Sequence, residues 1–322
     1  ALVTGAGKGL GRACAIALAE AGANVIGLSR TQSDLDKLQN EIKKVKGKLI
    51  KINCDVMNFE DLNEKLKKIK LIDILVNNAG TNIPEEFEKI HQMGIKNVKI
   101  ADEMFVMNKS HFLRLCEKIH ERGYDFNIWA YARIDTVKEE YLEALKKAGV
   151  NWLALGIESG NAVVRKDVIK GKFTEVNIKD LVQKIKDAGI NVIGNYIFGL
   201  PEDDLQSMRE TLDLAKDLQC EFANFYCAMA YPGSSLYLDA LRHSRVLPDS
   251  YTGYSQHSYD MRPLDTTKIS AEEVVRFRDA AFHEYYEDPS YLEFIEKKFG
   301  ISTRQEIEKM TKHRLKRKIL GD

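Results

Sequence analysis

The residues best suited to chemistry begin at the fourth position of the chain. Residues 4 to 12 read TGAGKGLGR, directly after a strand-like run and directly before a helical pattern over 13 to 20. Gly5, Gly9 and Gly11 remove side chains where a tight turn and a helix N-terminus approach a ligand, and the free amides and helix dipole there stabilise a pyrophosphate. Lys8 and Leu10 belong to the same loop. The next apolar run, VIGLSR, ends in Ser29 and Arg30 instead of a carboxylate, which favours a ribose carrying a 2′-phosphate, hence NADP over NAD. The competing assignment makes Lys8 and Arg30 ordinary solvated charges. Asp55 and Val56 close a third run, and Asn77, Asn78, Ala79 and Gly80 close a fourth. Asp55 can accept from an adenine amino group, and the small residues after the fourth run let backbone come close to a nucleoside.

These residues all sit where short β-rich runs end. The predicted strands are 2–4, 24–28, 49–53, 74–76, 97–101, 127–132, 152–156, 192–198 and 222–228. Between them leucine and isoleucine recur at three and four residue spacing over 34–44, 109–122, 138–148 and 178–188, which predicts helices. Gly94, Gly149 and Gly189 mark helix stops, because glycine accepts the left-handed C-cap conformation. Strand and helix in alternation imply parallel strands with helical crossovers, an α/β fold whose chemistry collects at the carboxyl ends of the strands. A single nine-stranded open sheet would be unusually wide, so two subdomains are expected. After residue 231 the pattern turns to a polar stretch and then helices rich in Glu, Lys and Arg.

Taken together, the TGxxxGxG loop, the Asp-Val after the third strand and NNAG after the fourth resemble the short-chain dehydrogenase/reductase family over residues 1 to 84. The resemblance implies a Rossmann-like dinucleotide cradle: Gly5, Gly9 and Gly11 as phosphate loop, Ser29 and Arg30 as coenzyme selectors, Asp55 as adenine contact, and Asn77 to Gly80 as cofactor wall. That family's reaction needs a Tyr-x-x-x-Lys pair, in which the lysine lowers the phenol pKa. No tyrosine after Gly80 has a lysine four residues later.

Farther along, IADEMFV, NIWAYARID, GIESG followed by Lys170-Gly171, GNYIFGLP and YPGS fall at successive strand ends. This series resembles the barrel of radical SAM enzymes, of the type associated with a cobalamin domain, over about 88 to 240. The resemblance implies contacts to S-adenosylmethionine from Arg133, Glu158 and Ser159, with Asp102 and Glu103 at the second barrel strand. It also implies a [4Fe-4S] cluster, normally held by Cys-x-x-x-Cys-x-x-Cys. The five cysteines, at 14, 54, 116, 220 and 227, have no such spacing. Each reads as a small buried hydrophobe. The domain assignment is therefore 1–86 as a Rossmann-like half, 87–240 as a partial (β/α) barrel and 241–322 as a helical extension. Strand 74–76 is expected to stand in the barrel's missing first position, in a fusion whose junction lies near Pro84 to Glu88.

Composition narrows the partners. The chain has 48 basic and 48 acidic residues, a formal net charge of +0, which gives no case for nucleic acid or an acidic membrane. The basic tail KHRLKRKIL reads as a solvated helix, and no metal motif accompanies His243 or His257. Trp129 and Trp152, on predicted strands, read as core. Odd, scattered cysteines and the lack of any leader before the first strand predict a cytoplasmic protein whose partners are small-molecule cofactors.

Overall fold

A computed structural model describes residues 1–67, 69, 71–80, 87–168 and 177–322. The expected junction at Pro84 and the Lys170-Gly171 pair lie outside the described residues. All nine predicted strands form, with ends within two residues of expectation: β1 (Leu2–Thr4), β2 (Val25–Ser29), β3 (Leu49–Asn53), β4 (Leu75–Val76), β5 (Asn97–Lys99), β6 (Asn127–Arg133), β7 (Val150–Glu158), β8 (Asn191–Phe198) and β9 (Phe222–Cys227). They build two sheets, of order β3-β2-β1-β4 and β5-β6-β7-β8-β9. Every pairing is parallel. The chain divides correspondingly into compact units Ala1–Glu85 and Glu86–Asp322.

In the first unit, β1 sits between β2 and β4 and is fully enclosed, as its apolar run requires. Val3, Val25, Ala15, Ala19 and Leu38 form one side of its core, and Leu2, Ile26, Leu28 and Ile52 the other. The helix expected over 13–20 begins earlier, at Gly9, and runs to Glu20. Glycine is a poor helix former, so propensity alone delays the start; tertiary packing overrides it, because a Cβ on Gly11 would lie 2.4 Å from the Gly5 carbonyl oxygen. One expectation is corrected. β4 pairs with β1, Leu2 opposite Leu75 and Val3 opposite Val76, and is not a strand of the second sheet. Leu75 is exposed, so little apolar burial holds β4 there; the Thr4 hydroxyl ties the end of β4 to β1.

The second unit is a partial barrel. On β6, Ile128, Ala130 and Ala132 are buried against the crossover helices, while Asn127, Trp129, Tyr131 and Arg133 line the other face at strand period. The buried layer meets Leu142, Leu145, Ile185, Met208 and Leu212, which recur at helical spacing on their own elements. The helices Ala271–Tyr286, Pro289–Phe299 and Ile301–Met310 contribute Tyr285, Tyr286, Tyr291, Ile295 and Ile307 to this same core. Three of those tyrosines donate their hydroxyls to backbone at the start of β9: Tyr285 to Cys220 (2.8 Å), Tyr291 to Glu221 (2.9 Å) and Tyr286 to Ala223 (2.6 Å). Trp129 and Trp152 differ from expectation. They are half-buried on the strand face turned away from the crossover helices, because the strand period assigns that face to them. Among the described residues no helix is long and apolar enough to cross a membrane.

Candidate functional site

At the carboxyl ends of β1 to β4 the first unit opens into a cleft of about 520 Å³. Its floor is set by Thr4. The Thr4 hydroxyl accepts from the amides of Asn78 (3.0 Å) and Ala79 (2.9 Å) and donates to the Val76 carbonyl, so the loops after β1 and β4 are tied together. Asn78 reciprocates through Nδ2 to the Thr4 carbonyl at 3.1 Å. Gly5 turns the chain away from β1 at φ +65°, with no room for a Cβ, which would lie 2.8 Å from Asn78 Nδ2. Lys8 caps the following helix without a side-chain hydrogen bond, which leaves the first-turn amides for a ligand or water. The positive end of the helix dipole favours an anion at such a position.

Ten of the sequence-selected residues line the cleft: Gly5, Lys8, Leu10, Ser29, Arg30, Asp55, Val56, Asn78, Ala79 and Gly80. Gly9, Gly11 and Asn77 do not. Gly9 adopts φ +54° with open space around a Cβ, so conformation and not ligand clearance calls for glycine there. Gly11 serves the close approach of helix and strand, and exposed Asn77 leaves its place on the wall to Asn78. Gly7 and Asp34 were not singled out in the sequence. A Cβ on Gly7 would lie 2.7 Å from the Ser29 hydroxyl, so that glycine lets the loop pass the end of β2. Asp34, in the first turn of the helix Gln32–Ile42, is almost fully buried and holds Lys8 at 3.3 Å. Its position one helical turn after the strand end is the signal that could have found it. Arg30 stands 3.9 Å from Asp55, both well exposed, a pairing too loose to hold the guanidinium from a stronger anion. Both cations therefore face the cleft with a carboxylate beside them. The residues fit a dinucleotide: a glycine-lined turn, an uncapped helix start, and a hydroxyl and a guanidinium at the end of β2.

The second unit brings Arg133 and Glu158 together at the carboxyl ends of β6 and β7. Arg133 pairs with Asp135 through two hydrogen bonds, one from Nη2 at 2.7 Å and one from Nε. Glu158 takes a left-handed backbone at φ +66°, and burial pushes its carboxyl up to about 7 despite the opposing charge of Arg133. Ser159 is fully buried. Its hydroxyl meets Thr211 Oγ1 at 3.2 Å and accepts from the Asn161 amide, so it organises the turn and has no face for a ligand. Asp102 and Glu103 are exposed, and Asp102 accepts from the Met104 amide.

The cysteines do not fit an iron-sulfur cluster. Cys54, Cys116, Cys220 and Cys227 are buried free thiols, and burial pushes Cys116 up to about 11 and Cys220 and Cys227 up to about 12. A cluster needs thiolates, which these environments disfavour. Among the described residues no three His, Cys, Asp or Glu side chains converge on a metal position.

Comparison with known proteins finds the same two families, with matches that overlap over residues 81–117. The short chain dehydrogenase model matches residues 1–117 and the radical SAM superfamily model matches residues 81–215. An uncharacterized methyltransferase of Pyrococcus horikoshii is 27% identical over 210 residues, 65% of this chain and 45% of that protein. L-xylulose reductase of Mesocricetus auratus is 41% identical over 90 residues, 28% of this chain and 35% of the reductase. The radical S-adenosylmethionine methyltransferase TsrM from Kitasatospora setae is 20% identical with a TM-score of 0.40, covering 44% of this chain and 29% of that one. The chain thus spans less than half the length of these relatives. It is a hybrid: residues 1–84 resemble the N-terminal half of a short-chain dehydrogenase/reductase, and residues 88–240 resemble a radical SAM barrel.

Proposed function

We propose that the first unit binds NADP or NADPH and that the residues of this chain complete neither family's catalytic set. The observation that carries this reading is the cleft itself, in which the glycine turn, the uncapped helix start, Ser29 and Arg30 converge on one concavity. The turn and the helix amides would hold the pyrophosphate, Arg30 and Ser29 the 2′-phosphate, and Asp55 the edge of the adenine. The cofactor, when bound, supplies hydride chemistry. No Tyr-x-x-x-Lys pair follows Gly80 to exchange the accompanying proton.

Fluorescence titration of the full chain with NADPH and with NADH tests the reading. NADPH should bind saturably and about tenfold or more tighter than NADH, as a charge-assisted contact to the extra phosphate requires. Arg30→Ala should remove that preference and leave NADH affinity unchanged. Equal affinity for both, or an unaltered preference in Arg30→Ala, overturns it.

A second reading is favoured by the family match over 81–215 and by the methyltransferase of Pyrococcus horikoshii among the relatives. In it the chain is a radical SAM enzyme by lineage, with methyl transfer as its reaction class and Arg133 and Glu158 as S-adenosylmethionine contacts. Iron and sulfide analysis after anaerobic reconstitution separates the two, since a stoichiometric cluster on this chain would establish the second. An NADP-dependent oxidoreductase is the third, and turnover of a carbonyl substrate with NADPH would establish it.

A further inference from the structure

The open face of the partial barrel carries a second concavity, at the end opposite Arg133 and Glu158. Parallel strands share one polarity, so Asn97, Asn127 and Phe222, the first residues of β5, β6 and β9, mark the amino-terminal rim. The cavity there measures about 690 Å³. From Trp129 to Arg133 is four strand residues, roughly 13 Å, so the cavity is separate from the carboxyl-end cluster.

Its walls are aromatic and its charge is one-signed. Trp129, Trp152, Phe222 and Phe282 present rings to it, and Trp152 is held by stacking on Phe299 at 5.8 Å and 15°. Lys99 sits with Nζ 4.5 Å from the centre of the Trp129 ring and 5.2 Å from that of Tyr131. Among the described residues Lys99 has no carboxylate partner, and no Asp or Glu lines the cavity. The half-buried aromatic wall and the Lys99 ammonium beside it together suit an aromatic anion.

We propose that this cavity binds a planar aromatic ligand carrying one anionic group, an aromatic carboxylate in the simplest case. The ring system stacks among the indoles and phenyl groups, and the carboxylate lies at Lys99. The inference stands apart from the proposed dinucleotide site, because no residue is shared between them.

The experiment uses the full chain and 2-naphthoate, followed by titration calorimetry and by tryptophan emission. Both tryptophans of the chain line this cavity, so a change in emission ties binding to it. One naphthoate per chain is expected, with the isosteric neutral 2-naphthamide about tenfold weaker, as loss of a charged hydrogen bond dictates. Cyclohexanecarboxylate should show no saturation. Lys99→Met should bring naphthoate down to the level of the amide without affecting the amide, while Lys96→Met, which breaks only the exposed pair with Asp125, should change nothing. Equal affinity of acid and amide, more than one site, an unchanged naphthoate affinity in Lys99→Met, or no saturable binding overturns the proposal. The comparison of acid and amide on the wild-type chain needs no variant to fold.

Discussion

At the scale of single residues, charge and burial decide more than residue type. Asp34 places a carboxylate in a cleft otherwise arranged for an anion, and Lys8 neutralises it. Asp34→Asn removes the negative charge and frees Lys8, so NADPH affinity should rise about threefold to tenfold in the same fluorescence titration; an unchanged or weaker affinity would show that Asp34 contributes to the site. Glu158 carries its own pH signature. Its folded carboxyl titrates at about 7, above its unfolded value of 4.5, so the folded state binds the extra proton between those values. Stability contributed by the protonated form is therefore complete below about pH 4.5 and lost as pH rises through 7, with a ceiling on the order of 3 kcal/mol. Glu158→Gln should flatten that slope in urea unfolding measured from pH 5 to 8. A slope identical to wild type would mean the carboxyl is already solvated. Glu158 was legible as a strand-end polar residue, but its shifted titration was not, since desolvation depends on neighbours far away in sequence.

At the scale of elements, short polar ties fix what the apolar pattern leaves free. β4 has two residues and little burial of its own, so its place beside β1 rests on the Thr4 hydroxyl. Thr4→Val keeps the shape and removes all three bonds, and should cost about 1 to 3 kcal/mol in chemical denaturation together with NADPH affinity. Full retention of both would assign the pairing to backbone alone. The helix Ala271–Tyr286 is tied to β9 in the same manner. The Tyr286 hydroxyl both donates to the Ala223 carbonyl and accepts from its amide at 2.9 Å, closing the sheet edge with one side chain. Strands and helices were legible because their periods are local. The start of the first helix at Gly9 was not, since its glycines contradict propensity and are there for packing against Gly5.

At the scale of the whole molecule, the nine strands divide into two sheets of four and five, as the width of a single open sheet led one to expect, each with its own core. The thiols report on both cores. With four of five cysteines buried and Cys14 half-buried, Ellman's reagent at pH 8 should titrate one thiol or fewer per folded chain and five after unfolding. Prompt reaction of three or more would show that the cores open readily. The sequence by itself determined the α/β class, all nine strands, the two resemblances and ten of the residues that line the cleft of the first unit, because a period of two or 3.6 residues and a glycine turn are written in neighbouring positions. Only the tertiary structure decided that β4 joins β1, that Ser159 is sealed while Asp34 is brought to the cleft, and that both tryptophans face an open cavity instead of the core. Those outcomes depend on register between distant segments, where a shift of one residue exchanges the two faces of a strand.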